Sequence, residues 1–236
     1  YVVSVNGGYG MYYNDGIKEA PTYHPSGTRD TAAEVPVQLG TVAAGIDIRH
    51  RGERGHAISG TFSGLQGNTW VSVALRHAAT GAFIEQVNNH PQTTGKNSFA
   101  FYGLADGEYE LQARRQGNTR PGGDPGAESD KRKVTLKGSD VTGIELKLLA
   151  TASIAGTIVL EASEKTDCQI TRRGVVDEVR VNTLREEQDT FTPGVYEMSP
   201  ESNRTFSFSD LSPGRYRLAA QVPSDHWYVK ALTVPP

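Results

Sequence analysis

The stretch FAFYGLADGEYELQA at residues 99–113 reappears as FSFSDLSPGRYRLAA at residues 206–220, a constant offset of 107 residues. Each copy places apolar residues at alternate positions on either side of a short turn. This alternation puts Phe99 and Phe101 on one face of a strand and Tyr109 on one face of the next. The repeat therefore predicts two copies of one strand–turn–strand unit.

The turn in each copy reads Leu-x-x-Gly-x-Tyr, with Gly107 and Tyr109 in the first copy and Gly214 and Tyr216 in the second. Glycine can adopt a positive φ at such a bend. The tyrosine two residues later resembles the tyrosine corner of Greek-key sandwiches, where the ring is buried and the hydroxyl bonds to the turn backbone. We expect a structural role for both tyrosines rather than contact with a ligand.

Two further blocks repeat in the same order along the chain. They are VQL…GIDI (37–48) against VTL…GIEL (134–146), and ISGT (58–61) against IAGT (154–157). One full pass through the pattern takes roughly 95–105 residues, the size of a seven-strand sandwich. The fold class predicted is all-β, with tandem Greek-key β-sandwich modules of immunoglobulin-like dimensions.

The repeats divide the chain into three predicted segments. Residues 1–52 are expected to be the C-terminal part of a preceding module, followed by an aromatic loop and a linker. Residues 53–150 are expected to form a complete module. Residues 151–236 are expected to form a second module without its last strand, because no Gly-Ile-x-Leu block follows Trp227. The chain is thus expected to be a piece of a longer array.

Composition narrows the possible partners. The chain has 236 residues, an apolar fraction of only 36%, 26 glycines and 12 prolines, which favours many short strands and tight turns. The net charge of −3 comes with scattered positive residues, so neither nucleic acid nor an anionic membrane is an expected partner. No apolar run approaches the ~20 residues that span a bilayer. The lone Cys168 excludes an internal disulfide, leaving a buried thiol or an intermolecular bridge.

The motifs that carry chemistry are incomplete. None of the six histidines has the spacing of a zinc site. Gly60–Gly64 lacks the order of a nucleophile elbow, and Gly8–Tyr13 lacks the third glycine of a dinucleotide loop. Asp124 and Glu128 fall in Gly117–Asp130, which is typical of a solvated loop, with a weak Ca²⁺ site as the alternative. We predict no catalytic residue, no cofactor and no metal site.

Four tyrosines lie outside any strand alternation, in a loop rich in glycine and asparagine. They are Tyr9, Tyr12, Tyr13 and Tyr23. Exposed aromatic rings can pack against a neighbouring module, stack on a sugar, or simply remain at the surface. The sequence leaves these three interpretations open.

The motifs also resemble a known family. Leu-x-x-Gly-x-Tyr-x-Leu-x-Ala, followed by Gly-x-Asp-Val-x-Gly-Ile-x-Leu at residues 138–146, resembles the carboxypeptidase regulatory-like domains. The resemblance implies a transthyretin-like (prealbumin-like) β-sandwich without catalytic residues of its own. The segment Ala20–Asp30 is similar to a Tyr-Pro-Gly linker between tandem copies in large bacterial surface proteins. An extracellular or cell-surface location is implied, with the periplasm as an alternative.

Two classes of function follow as hypotheses. In the first, the modules are structural and assemble head-to-tail with neighbouring modules or identical subunits by strand complementation, even as a fibre. The GIDI strand at residues 45–48 is of the type that the C-terminal module lacks. A simpler explanation is that both ends only reflect where the chain was cut, or disorder there. In the second class, the chain is a glycan- or peptide-binding accessory module of a larger exported protein or peptidase.

Overall fold

The computed structural model describes residues 1–5, 19–64, 70–89, 97–117, 125–161, 176–186, 195–200, 203–222 and 227–233. Within these ranges the fold is all-β, as predicted, with fifteen strands, two single-turn 3-10 helices and no α-helix. Tyr9, Tyr12, Tyr13 and Cys168 lie outside the described residues. None of the described helices is long and apolar enough to cross a membrane.

The chain folds into two compact units. Unit 1 comprises Tyr1–Arg115 and Ala127–Leu149, and unit 2 comprises Gln116–Gly126 and Ala150–Pro236. Residues 1–52 thus belong with unit 1. Their assignment to a preceding module stays a prediction, as do the boundaries at residues 53, 150 and 151.

Unit 1 contains ten strands, and most of the longer ones carry the period-two alternation found in the sequence. The ten strands are β1 Ser4–Val5, β2 Thr22–Tyr23, β3 His56–Ser63, β4 Val71–His77, β5 Phe83–Asn89, β6 Ser98–Leu104, β7 Gly107–Arg115, β8 Ala127–Ser129, β9 Arg132–Leu136 and β10 Val141–Ala150. Unit 2 contains β11 Ala152–Thr157, β12 Arg180–Arg185, β13 Val195–Met198, β14 Thr205–Leu211 and β15 Tyr216–Gln221. The 3-10 helices are Arg29–Thr31 and Val176–Glu178.

Unit 1 is built on strands in the order β5-β4-β7-β8-β10-β3-β6, with β9 beside β7. The β3–β10 pair is parallel, whereas β3 pairs antiparallel with β6, and β7 with β4 and β9. Inward side chains of β3, β4, β6, β7 and β10 form one buried cluster. It includes Ile58, Leu75, Phe101, Leu111 and Leu146. Burying each such side chain contributes about 1.5–3 kcal/mol, so β9 and β10 stabilise unit 1 by covering this cluster.

Unit 2 repeats part of this arrangement. Its sheets are β13-β12-β15 and β11-β14, which correspond to β5-β4-β7 and β3-β6 of unit 1. Val179, Val181, Phe208 and Leu211 are buried, and half-buried apolar side chains pack around them. Among the described residues, no strand of unit 2 corresponds to β9 or β10.

The sequence expectation for Glu128 is wrong. Instead of lying in a solvated loop, Glu128 is only 9% exposed and lies in β8, opposite Arg114 of β7. An Arg114 Nη1 atom lies 3.6 Å from a Glu128 carboxylate oxygen. The physical reason is that backbone pairing with β7 draws three residues of the turn-rich stretch into the sheet, and the paired charge makes burial of the carboxylate tolerable.

Candidate functional site

Both units contain the turn geometry of a tyrosine corner. The hydroxyl of Tyr109 donates a hydrogen bond to the carbonyl of Ala105, and the hydroxyl of Tyr216 donates one to the carbonyl of Ser212, each over 2.7 Å. In both cases the acceptor lies four residues before the tyrosine. Each hydroxyl thereby satisfies a turn carbonyl and fixes the entry into β7 or β15.

Each repeat has two residues with a positive φ. The turn glycines Gly107 and Gly214 have a positive φ, as the sequence indicates, with 159° in both, close to extended backbone. The left-handed positions are Gly103, with a φ of 71°, and its counterpart Asp210, with a φ of 60°. Aspartate is one of the few residues besides glycine that tolerate this region. The two copies therefore preserve a backbone conformation although the residue type differs.

The tyrosine corner of unit 1 also has charged neighbours. Burial raises the pKa of Tyr109 well above its ordinary range, and Tyr23, Asp30 and Asp106 raise it further by electrostatic repulsion of the phenolate. Tyr109 therefore remains protonated and acts as a hydrogen-bond donor. This environment suits a structural group and gives it no role as a base.

The linker, residues 19–35, is fastened to the chain that leads into β3. The backbone N–H of Arg49 donates to the carbonyl of Pro25 over 2.8 Å, and that of Arg51 donates to Thr22 Oγ1 over 3.1 Å. Thr22 is fully buried. The linker is therefore an ordered part of unit 1 rather than a free tether.

Asp30 of the linker pairs with a histidine that the sequence did not single out. The Oδ1 atom of Asp30 lies 2.8 Å from Nε2 of His77, whose side chain is only 7% exposed at the end of β4. The other ring nitrogen of His77 lies 3.2 Å from Thr80 Oγ1. Asp30 and His77 are 47 positions apart in the sequence, which explains why no local motif identified this pair.

Of the four tyrosines predicted to form an interaction loop, Tyr23 is described. It is half-buried in β2, and the guanidinium carbon of Arg29 lies 5.8 Å from the centre of its ring. One face of the ring is therefore occupied within unit 1. The roles of Tyr9, Tyr12 and Tyr13 stay predictions.

The last two strands of unit 1 complete its core. Val134 and Leu136 of β9 and Ile144 and Leu146 of β10 are each at most 8% exposed. Two glycines accompany these strands, Gly138 in the turn with a φ of 69° and Gly143 in β10 with a φ of 76°. Beside Gly60 of β3, the carbonyl of Ile144 comes so close that a Cβ atom on the glycine would overlap it.

The corresponding positions of unit 2 are open. Ile154, Tyr216 and Leu218 are half-buried, whereas their counterparts Ile58, Tyr109 and Leu111 in unit 1 are no more than 6% exposed. In the described part of the chain, β11 pairs only with β14, and β15 only with β12. We call the unpaired sides of β11 and β15 the open edges of unit 2.

The chain also presents a segment that resembles β9 and β10 but lies in no sheet. This segment, residues 36–49, includes Val37 at 53% exposure, Leu39 at 105% and Val42 at 90%. It has no strand pairing. Its apolar side chains lack the cover that those of β9 and β10 have in unit 1. We call this segment the donor segment.

The described residues offer little for catalysis. No group of three or more His, Cys, Asp or Glu side chains among them is arranged to hold a metal ion. A cavity of about 50 Å³ is lined by residues that include Arg54, His56, Tyr102 and Asp140. It is far smaller than the roughly 300–1,000 Å³ of ordinary ligand sites.

No family model matches the chain, and no curated protein matches its sequence. Among solved structures, it is similar to a candidate polysaccharide-binding protein from Bacteroides thetaiotaomicron, with 11% identity and a TM-score of 0.36 over 72% of this chain and 78% of the other. A candidate adhesin from Bacteroides ovatus has 9% identity and a TM-score of 0.35, over 71% and 72%. A streptococcal ancillary pilin has 11% identity and a TM-score of 0.32, over 94% and 67%. Likenesses this weak leave the functional argument to the geometry of the chain.

Proposed function

We propose that this chain is a non-catalytic interaction module of a secreted or cell-surface protein, which joins other modules head-to-tail by strand complementation. The observation that carries the proposal is the pair of open edges on unit 2. The β-strand motifs that resemble the carboxypeptidase regulatory-like family agree with this function, because such domains act beside other domains rather than as enzymes.

The energetic argument rests on the half-buried core of unit 2. An unpaired edge exposes backbone N–H and C=O groups that readily accept another strand. A strand added along β11 would also cover Ile154, and one added along β15 would cover Leu218. Completing the burial of each side chain is worth about 1 kcal/mol, since full burial is worth about 1.5–3 kcal/mol. Backbone pairing gives the affinity, and the apolar contacts give the specificity.

The shortage of catalytic groups among the described residues agrees with the same proposal. The cavity beside His56 holds little more than a few water molecules, and Tyr109, whose pKa is raised, is committed to its turn. An interaction that uses sheet edges needs neither a pocket nor a metal ion.

A synthetic peptide tests whether the open edge accepts a strand. The peptide has the sequence of residues 138–149, GSDVTGIELKLL, which forms the turn and β10 of unit 1. We expect it to slow amide hydrogen exchange in β11 of the intact chain and to leave β3, which is already paired, unchanged. The matched control peptide carries Asp in place of Ile144 and Leu146. Equal exchange in β11 with and without the peptide would contradict the proposal.

The glycan-binding alternative rests on the predicted interaction loop of Tyr9, Tyr12, Tyr13 and Tyr23, although Arg29 already lies over one face of the Tyr23 ring. It predicts affinity on a glycan array that is lost when Tyr12 and Tyr13 are changed to Ala.

A further inference from the structure

We propose that the strand which closes unit 2 is the donor segment of a second copy of this chain. This inference rests on the proposed function and names its partner. Residues Gly45–Arg49 of one molecule would pair in parallel with β11 of the next, as β10 pairs with β3 inside unit 1.

Two backbone angles of the donor segment match those of the β10 region. Gly40 and Gly45 have φ angles of 76° and 74°, and their counterparts Gly138 and Gly143 have φ angles of 69° and 76°. Both pairs of glycines are five residues apart. Side chains other than glycine rarely adopt such angles, so two matching positions in sequence indicate the same local path. The donor segment thus shares the φ angles of the two β10 glycines, although it lies in no sheet.

The corresponding apolar side chains of the two segments differ in how far they are covered. Ile144 and Leu146 of β10 are at most 8% exposed, because the rest of unit 1 packs over them. Their counterparts Ile46 and Ile48 are partly exposed, and Val37 and Leu39 are more than half exposed. Insertion into the half-open core of unit 2 would bury these apolar groups and cover Ile154.

The free side of the donor segment is the correct one for pairing. The Asp47 carbonyl accepts from His24, and Arg49 bonds to Pro25 through its backbone N–H. In an extended strand, the backbone groups of alternate residues point to opposite sides. Once the donor segment is extended in a sheet, the groups of Ile46 and Ile48 would therefore point away from the linker. In β10 the carbonyl of Ile144, the counterpart of Ile46, is likewise the one that faces β3.

The repeat also specifies the register. In unit 1, Ile144 lies opposite Gly60, and Glu145 lies opposite Thr61. If the donor segment pairs with β11 in this register, Ile46 would lie opposite Gly156, and Asp47 would lie opposite Thr157. The ring of Phe206 lies against Gly156 in the free chain, where it takes the place of a Cβ atom, so this ring must move aside before the Ile46 carbonyl can approach. Asp47 and Thr157 are both exposed, as Glu145 and Thr61 are, so they share the outer face.

One copy provides the donor segment and the next provides β11, so the contact is heterologous. Such a contact produces closed rings or open chains of subunits rather than a symmetric pair. We therefore expect dimers to be the smallest of a series of oligomers, and the average number of subunits to rise with protein concentration.

Disulfide trapping between two single-cysteine variants tests the partner and the register together. Both variants carry Cys168→Ser; one carries Asp47→Cys with a size tag, and the other carries Thr157→Cys. Paired strands would bring these Cα atoms to about 4.8 Å, within the range of a disulfide. The matched control carries Ala155→Cys instead of Thr157→Cys. Residue 155 is exposed on the same face but lies two residues away along β11. Its Cα atom would be about 8 Å from that of residue 47, beyond the reach of a disulfide.

After mixing and mild oxidation, we expect the tagged heterodimer of Asp47→Cys and Thr157→Cys to exceed that of the control pair about tenfold. Equal yields from the two pairs would overturn the proposed partner. So would a chain carrying both cysteines that forms only an internal disulfide at every protein concentration. If trapping fails while the peptide of residues 138–149 still protects β11, the open edge accepts a strand but the donor is another segment, such as residues 227–233. If both fail, the proposed function fails as well.

Discussion

Asp30 Oδ1 lies 2.8 Å from His77 Nε2, which joins the linker to a nearly buried ring at the end of β4. The pair lies beside the tyrosine corner, because Asp30 is also one of the groups that act electrostatically on Tyr109. The linker is thus attached to the part of unit 1 where the repeated turn enters β7.

Replacing Asp30 with Ala removes the acceptor of a buried ring nitrogen. We expect the free energy of unfolding of unit 1 to fall by about 1–2 kcal/mol, because a buried donor is left without its partner. Urea unfolding followed by circular dichroism measures this change. The control Glu34→Ala removes an exposed carboxylate from the same linker and should cost less than about 0.5 kcal/mol. Equal losses would show that the Asp30–His77 contact does not contribute.

Removing each corner hydroxyl in turn compares how strongly the stability of each unit depends on it. Tyr109→Phe should destabilise its unit by about 1–2 kcal/mol through the lost bond to Ala105. Tyr216→Phe should cost less, because Tyr216 is half-buried and water can replace the hydroxyl at the carbonyl of Ser212. Differential scanning calorimetry of the two variants compares them directly. A larger loss for Tyr216→Phe would mean that the open core of unit 2 depends on its corner more than its exposure indicates.

Stability at alkaline pH should depend on Tyr109. Its pKa is higher in the folded than in the unfolded chain, mainly through burial. The unfolded chain therefore releases this proton first, near pH ~10, and the stabilising contribution of the protonated group declines as the pH rises beyond that value. Urea midpoints at about pH 8 and about pH 11 should differ more for the unmodified chain than for Tyr109→Phe. Tyr216→Phe is the matched control; parallel behaviour of both variants would refute this assignment.

Glycine substitutions distinguish close approach from backbone strain. Gly60→Ala places a Cβ atom against the carbonyl of Ile144 and should cost about 2–3 kcal/mol by separating β3 from β10. Gly138→Ala meets no atom within 4 Å and should cost only about 1 kcal/mol, from its positive φ. Chemical denaturation of the two variants checks the order, and equal losses would mean that β10 can shift without cost.

The sequence predicted the all-β fold because alternation and the repeated turn are local signals that strand pairing reinforces. Tyr109 and Tyr216 were found in the same way, through a motif only a few residues long. By contrast, Asp30 and His77 meet only in the fold, and neither lies in a repeat. Glu128 was misplaced because its glycine- and proline-rich surroundings conceal a three-residue strand that only pairing with β7 stabilises.

The sequence predicts a strand of the closing type at residues 45–48, whereas the structure has no strand there, and the exposure of the donor segment could not be predicted. Alternation reports which side chains face one way, and it does not report whether a sheet lies there to cover them. The positive φ angles of Gly40 and Gly45 could not be predicted either, because glycine permits many backbone angles.

The matching angles at Gly40 and Gly45 have a kinetic consequence. A peptide that must order itself on binding loses conformational freedom, of the order of 1–2 kcal/mol for each backbone residue that becomes fixed. The donor segment has met part of that cost before any encounter, since Gly40 and Gly45 already have the φ angles of Gly138 and Gly143 in the free chain. Exchange of subunits would then be limited by release of the paired strand, giving slow dissociation and ordinary association rates.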